Sequence, residues 1–216
     1  MLTRPAALAG LCVVSLVGCP GPGGGDAGAG NPVPDDPLPR AFVLRDALAG
    51  VGVTHVIGLP DNGSAALFDL LSEDPDISLL TVTREGEAFA IASGLWLGGA
   101  HPVVLIQNTG LLESGDSLRG TAVRMGVPLL CLVGYRGYAR MTVHAVDPHA
   151  GPPGRHALTR SDLDSVALLT EPTLDAWGLP YHHYHTDADA PRVADAWAQA
   201  HREERPVALL LTRPFM

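Results

Sequence analysis

The residues best suited to chemistry form a short string, Thr83-Arg84-Glu85-Gly86-Glu87-Ala88, just ahead of an alanine-rich run that continues to Gly94. Carboxylates in a first helical turn are favoured by the helix macrodipole whether or not they serve a ligand. Glu85 and Glu87 stand two positions apart, so they project to different faces and only one can serve a given site. Two further strings are polar at strand ends, Gly58-Leu59-Pro60-Asp61 and Gln107-Asn108-Thr109-Gly110-Leu111. Asp61 suits either a ligand loop or a helix cap, and the second string suits either a ligand loop or a simple turn.

All 14 basic residues are arginines, and the sequence contains no lysine. A P-loop lysine, a Schiff-base lysine and a Ser-Lys dyad are therefore excluded. An anion must be held by guanidinium forks, backbone N–H groups or a helix N-terminus. Arg84, Arg136 and Arg140 are candidates for an anionic group of a substrate, and each suits a solvated surface equally well. The net charge of −9 argues against nucleic acid and anionic membrane surfaces as partners.

Of the nine histidines, His182, His183 and His185 lie in one predicted strand, where alternation is read as putting His183 on the face opposite the other two. No carboxylate or cysteine joins them at zinc-site spacing, so no metal site is expected. His144, His149 and His156 fall in a long Gly/Pro-rich stretch, Tyr135 to Arg160, read as a loop or lid. Three cysteines make no disulfide framework, and Cys131 reads as a core residue.

The elements that must position these residues alternate. Helical spacing covers Leu38 to Gly50, Ser64 to Leu71, Glu85 to Leu97, Leu118 to Met125, Pro172 to Trp177 and Pro191 to Glu203. Strand-like runs cover Thr54 to Ile57, Ile77 to Val82, Pro102 to Ile106, Val127 to Val133, Tyr181 to Tyr184 and Pro206 to Thr212. Strands that are apolar throughout, alternating with helices, predict a doubly wound α/β domain with a mostly parallel sheet covered on both faces. Ligands collect at the carboxyl ends of such strands, where the three polar strings fall.

In order and spacing these strings, with Val133-Gly134-Tyr135-Arg136-Gly137 and Arg205-Pro206-Val207-Ala208-Leu209-Leu210-Leu211, resemble the alpha subunit of sulfopyruvate decarboxylase. They are similar also to the pyrimidine-binding domain of phosphonopyruvate decarboxylase, a thiamine-diphosphate enzyme. The resemblance covers essentially the whole domain. It implies that Glu85 hydrogen-bonds the N1′ nitrogen of the cofactor's aminopyrimidine, favouring the tautomer that deprotonates the thiazolium, and that Glu87 is structural. It further implies that Pro60, Asp61, Gln107, Asn108, Thr109 and Gly110 line the cofactor pocket, and that a 2-oxoacid is decarboxylated.

Thiamine diphosphate also needs a domain that holds its diphosphate through a divalent metal, marked by Gly-Asp-Gly and a later asparagine. Neither Gly25-Asp26-Ala27 nor Gly115-Asp116-Ser117 fits, and no asparagine follows Asn108. The expectation is half an active site, completed by a beta-type subunit that carries the diphosphate-binding domain and the magnesium.

Residues 1–19 end in Leu16-Val17-Gly18-Cys19, which looks like a lipobox, and residues 20–37 read as a Gly/Pro-rich tether to the domain at 38–216. The segment is either a lipoprotein signal, with membrane attachment through a lipidated Cys19, or a misassigned start to a cytoplasmic chain. A non-catalytic lipid-anchored module of the same fold is therefore the alternative reading. A generic nucleotide-binding protein ranks lower, because no phosphate-cradling glycine fingerprint follows the first strand.

Overall fold

The computed structural model describes residues 36–147 and 151–216. The readings of residues 1–19 and of the tether up to residue 35 lie outside these, as does His149. The elements run α1 (Ala41–Gly50), β1 (His55–Gly58), α2 (Ala65–Ser72), β2 (Ser78–Thr81), α3 (Glu85–Leu97) and β3 (Pro102–Gln107). They continue with α4 (Asn108–Glu113), α5 (Gly115–Ser117), a π-helix (Leu118–Val123), β4 (Leu130–Gly134), α6 (Tyr138–Val143) and α7 (Arg155–Leu158). The last are α8 (Ser165–Ala176), β5 (Tyr181–Tyr184), a 3₁₀ turn (Asp187–Asp189), α9 (Pro191–Glu203) and β6 (Val207–Leu211).

The strands form one six-stranded sheet in the order β2-β1-β3-β4-β6-β5, and every neighbouring pair is parallel. The expected doubly wound α/β architecture is what the chain adopts. Period-two alternation then splits each central strand between two cores. Ile57, Val104, Ile106, Val133 and Leu210 pack on one face with α3, α4 and α8 residues such as Phe89, Leu111 and Leu174. Val56, Val103, Leu105, Leu132 and Leu209 pack on the other with Leu44, Leu67 and Val193. Cys131 is buried in the first core, and burial pushes its thiol up to about 12, which suits a packing residue.

Parallel register brings all the strand ends to one edge. Gly58 lies beside Thr81 and Leu105, Gln107 beside Gly134, and Gly134 beside Leu211. Gly58 permits this closeness, because a Cβ there would stand 1.9 Å from the Leu105 carbonyl oxygen. The other end of the chain is tied in as well, with Ala41 N–H donating to Met216 O at 3.0 Å and Met216 N–H to Pro39 O at 3.1 Å.

Four expectations need correction. The Gln107–Gly110 string is not a loop: Gln107 ends β3, and Asn108 opens α4 directly. The Tyr135–Arg160 stretch holds two short helices, α6 and α7. The helix at Pro172 starts seven residues earlier, at Ser165, capped by Asp164 Oδ1 accepting from Val166 N–H at 3.2 Å. Lastly, His183 and His185 share a face, as period two requires of residues i and i+2, and their rings stack at 5.5 Å with 9° between planes. His182 points the other way, to Gln199 Oε1 at 2.7 Å.

Candidate active site

Glu85 is the first residue of α3, directly after β2, and its side chain is half-buried at the carboxyl edge of the sheet. It lies on Gly110 of α4, in the space a side chain there would take. A Cβ on Gly110 would stand 2.2 Å from Glu85 Cγ and 2.4 Å from its Oε1. No protein hydrogen bond or ion pair engages the Glu85 carboxyl among the described residues.

Glu87 is used differently. Its Oε2 accepts from Thr83 N–H at 3.2 Å, Thr83 Oγ1 at 3.1 Å and Arg84 N–H at 3.3 Å, capping the N-terminus of α3. Those bonds, the one from the Thr83 N–H above all, hold the carboxyl below its ordinary pKa. Asp61 is also committed, with Oδ1 accepting from Gly63 N–H at 2.6 Å and Ser64 N–H at 3.2 Å, and Oδ2 from Ser64 Oγ at 2.8 Å. Of Glu85, Glu87 and Asp61, Glu85 alone engages no protein donor among the described residues.

The neighbouring candidates divide. Pro60 is exposed at the end of the β1 loop, and Thr109 is exposed and donates to Gln107 Oε1 at 3.1 Å. Asn108 is fully buried and turned inward, where its Nδ2 donates to Arg136 O at 3.1 Å and to Thr170 Oγ1 at 3.0 Å. Its Oδ1 has no hydrogen-bond partner among the described residues. The amide therefore braces the wall of the site instead of facing a ligand.

A cavity of about 950 Å³ opens beside this edge, between the ends of β1, β3, β4 and β6. Asp61, Gln107, Tyr135, Arg136 and Arg140 line it; Glu85 and Arg84 do not. Arg84 instead forms an ion pair with Glu113 of α4. Arg136 is paired with Asp164 at 2.8 Å. The sequence reading missed Arg160 and Arg213, which also line the cavity, because they come from separate segments that only folding brings together.

Behind the cavity, Glu171 of α8 is fully buried and accepts from the Tyr135 hydroxyl at 3.1 Å, with His183 Nε2 also at 3.1 Å. Burial, reinforced by Glu171, pushes the Tyr135 phenol far above its usual pKa, so it remains a donor. Among the described residues no three His, Cys, Asp or Glu side chains cluster as a metal site.

An all-parallel α/β domain with an unengaged glutamate and a polar cavity at the carboxyl edge of its sheet is a ligand-binding domain of the doubly wound class. More specifically, residues 41–168 match the model of the thiamine pyrophosphate enzyme N-terminal TPP binding domain, and the chain belongs to that family. It is 26% identical over 166 residues to the sulfopyruvate decarboxylase subunit alpha of Methanococcus maripaludis, covering 76% of this chain and 89% of that one. It is 38% identical over 94 residues to the phosphonopyruvate decarboxylase of Streptomyces viridochromogenes, a match that spans 44% of this chain and only 24% of that protein. Benzoylformate decarboxylase from Polynucleobacter necessarius shares the fold, with a TM-score of 0.58 and 20% identity over 79% of this chain and 29% of the other.

Proposed function

We propose that this chain is the alpha-type subunit of a thiamine-diphosphate-dependent 2-oxoacid decarboxylase of the sulfopyruvate or phosphonopyruvate type. The observation that carries the reading is the Glu85 carboxyl, half-buried on the bare backbone of Gly110 and engaged by no protein hydrogen bond among the described residues. A carboxyl so placed fits the ring nitrogen of an aminopyrimidine, and a Cβ on Gly110 would abolish the seat. The names of the related proteins support the reaction, and the alpha-subunit name supports a second chain. In this reading that chain is beta-type and brings the diphosphate-binding domain and magnesium, because Gly-Asp-Gly does not occur in the sequence.

Thiamine diphosphate, when bound, supplies a nucleophilic carbon and a cationic ring that takes up the electrons released with CO2. Glu85 holds a proton at its carboxyl oxygen against the pyrimidine nitrogen. Pro60 after β1 and Thr109 in the first turn of α4 are exposed and in this reading contact the pyrimidine, while Asp61 and Gln107 border the adjoining cavity. Asn108 fixes the Arg136 carbonyl from inside.

The test is CO2 release from sulfopyruvate and phosphonopyruvate by the chain with its complementing subunit, magnesium and thiamine diphosphate. Turnover should need both chains and fall on the order of 10²-fold or more in Glu85→Gln. Turnover by the chain alone, or a fully active variant, overturns the reading. The Leu16–Cys19 string supports the second reading, a lipid-anchored module without catalysis. A lipidated Cys19 in the mature protein, together with no turnover, would favour it.

A further inference from the structure

The charges around the cavity do not cancel. Three carboxylates and four guanidinium groups line it. Asp61 is saturated by Gly63 and Ser64. Asp162 is paired with Arg160 at 2.5 Å, with His144 at 3.6 Å. Asp164 is paired with Arg136 at 2.8 Å and caps α8. Arg140 and Arg213 remain without a carboxylate among the described residues, and the one hydrogen bond of Arg213 is from Nη1 to Pro37 O at 3.3 Å.

Both arginines stand on fixed backbone. Arg140 lies on α6 between the buried side chains Tyr138 and Met141, and Gly137, with φ +88°, immediately precedes α6. Arg213 lies between Thr212, whose Oγ1 is 2.6 Å from His185 Nδ1, and Phe215, whose N–H donates to Gly63 O at 3.0 Å. Each guanidinium carries five donors, so the two offer N–H groups and, against the remaining carboxylate Asp61, a net positive charge to one open cavity. Gln107 ties that space to the glutamate, since it lines the cavity and lies three residues before Gly110.

Resting on the decarboxylase reading above, we infer that Arg140 and Arg213 receive the terminal anionic group of the substrate, a sulfonate or phosphonate, and so set the preference for such acids. A tetrahedral group with three acceptor oxygens can take forks from two guanidinium groups at once, which a substrate ending in a methyl group cannot. Arg84 has no part in it, being paired with Glu113 away from the cavity.

The experiment has two arms. In the first, the two-chain enzyme is assayed on sulfopyruvate, phosphonopyruvate and pyruvate as wild type, Arg140→Ala, Arg213→Ala and Arg140→Lys. Each alanine variant should lose at least about tenfold more kcat/KM on the two anion-tailed acids than on pyruvate, chiefly through KM, and Arg140→Lys should recover part of it. Equal losses on all three acids, or none, overturn the assignment while leaving the decarboxylase reading in place. In the second arm, calorimetry measures methylphosphonate and inorganic sulfate binding to the chain without its partner. Binding that vanishes in the Arg140→Ala/Arg213→Ala double variant supports the site even if wild type turns over no oxoacid; no binding by wild type overturns it.

Discussion

Glu85 of α3 lies against the bare backbone of Gly110 on α4, its Cγ only 2.2 Å from where a Cβ would be. The two residues come from consecutive strand ends, so the contact is made by the sheet's register and the absence of a side chain together. Gly110→Ala adds helix propensity of about 1 kcal/mol to α4 while closing the seat. The variant should keep its melting temperature within a few degrees yet lose decarboxylation on the order of 10²-fold, the cost of about 1 Å of misplacement. Full activity in the two-chain assay would mean that Glu85 works from another position.

Glu85 and Glu87 separate function from folding within one helical turn. Glu87 caps α3 through Thr83 and Arg84, whereas Glu85 engages no protein donor among the described residues. Glu87→Ala should lower the melting temperature, and Glu85→Ala should leave it in place while abolishing turnover with the partner chain. A thermal melt of both variants beside the wild type checks this. The reverse pattern would exchange the roles assigned here.

This division was legible in the sequence because a helical spacing of two separates faces, and the strands were legible because runs such as Val103-Val104-Leu105-Ile106 are apolar throughout. The start of α8 was not. Pro172 suggests a first-turn position, but it sits within a helix that Asp164 caps upstream, where it can offer no N–H to Leu168. Asn108 misled for another reason: polar residues after a strand suggest a ligand loop, and only the packing of α8 shows its amide turned to Thr170 and Arg136. The cavity's arginines escape any local reading, since Arg140 and Arg213 are brought together by the order of β4 and β6 in the sheet.

Tyr135 ties the cavity wall to α8. Its hydroxyl donates to Glu171 at 3.1 Å and lies 3.2 Å from the Ala167 carbonyl oxygen. Glu171 is fully buried, so removing a donor leaves a carboxylate less well compensated. Tyr135→Phe should therefore destabilise the domain by about 1–3 kcal/mol in denaturant titrations. Glu171→Gln, which keeps the shape and an acceptor oxygen, should cost less than Glu171→Ala. If Tyr135→Phe costs nothing, the other partners of Glu171, His183 among them, satisfy the carboxylate.

Acid sensitivity has two stages. Burial, followed by the neighbouring His183, holds the His185 imidazole down to about 4, against an ordinary value of 6.5. The unfolded chain therefore binds a proton between those pH values that the folded chain refuses. The stability from this group is fully present above about pH 6.5 and is lost as pH falls through 4, by at most roughly 3 kcal/mol. Below that range a second loss begins at Asp74, whose carboxyl is held well below its usual pKa by Arg45, with Nε–Oδ2 at 2.5 Å. Denaturant titrations at about pH 7, 5 and 3 should show the first loss between the upper two in wild type and a flatter dependence there in His185→Asn. An equal drop in both proteins would assign the early stage to another group, and a drop that appears only below pH 4 would assign it to Asp74 and its like.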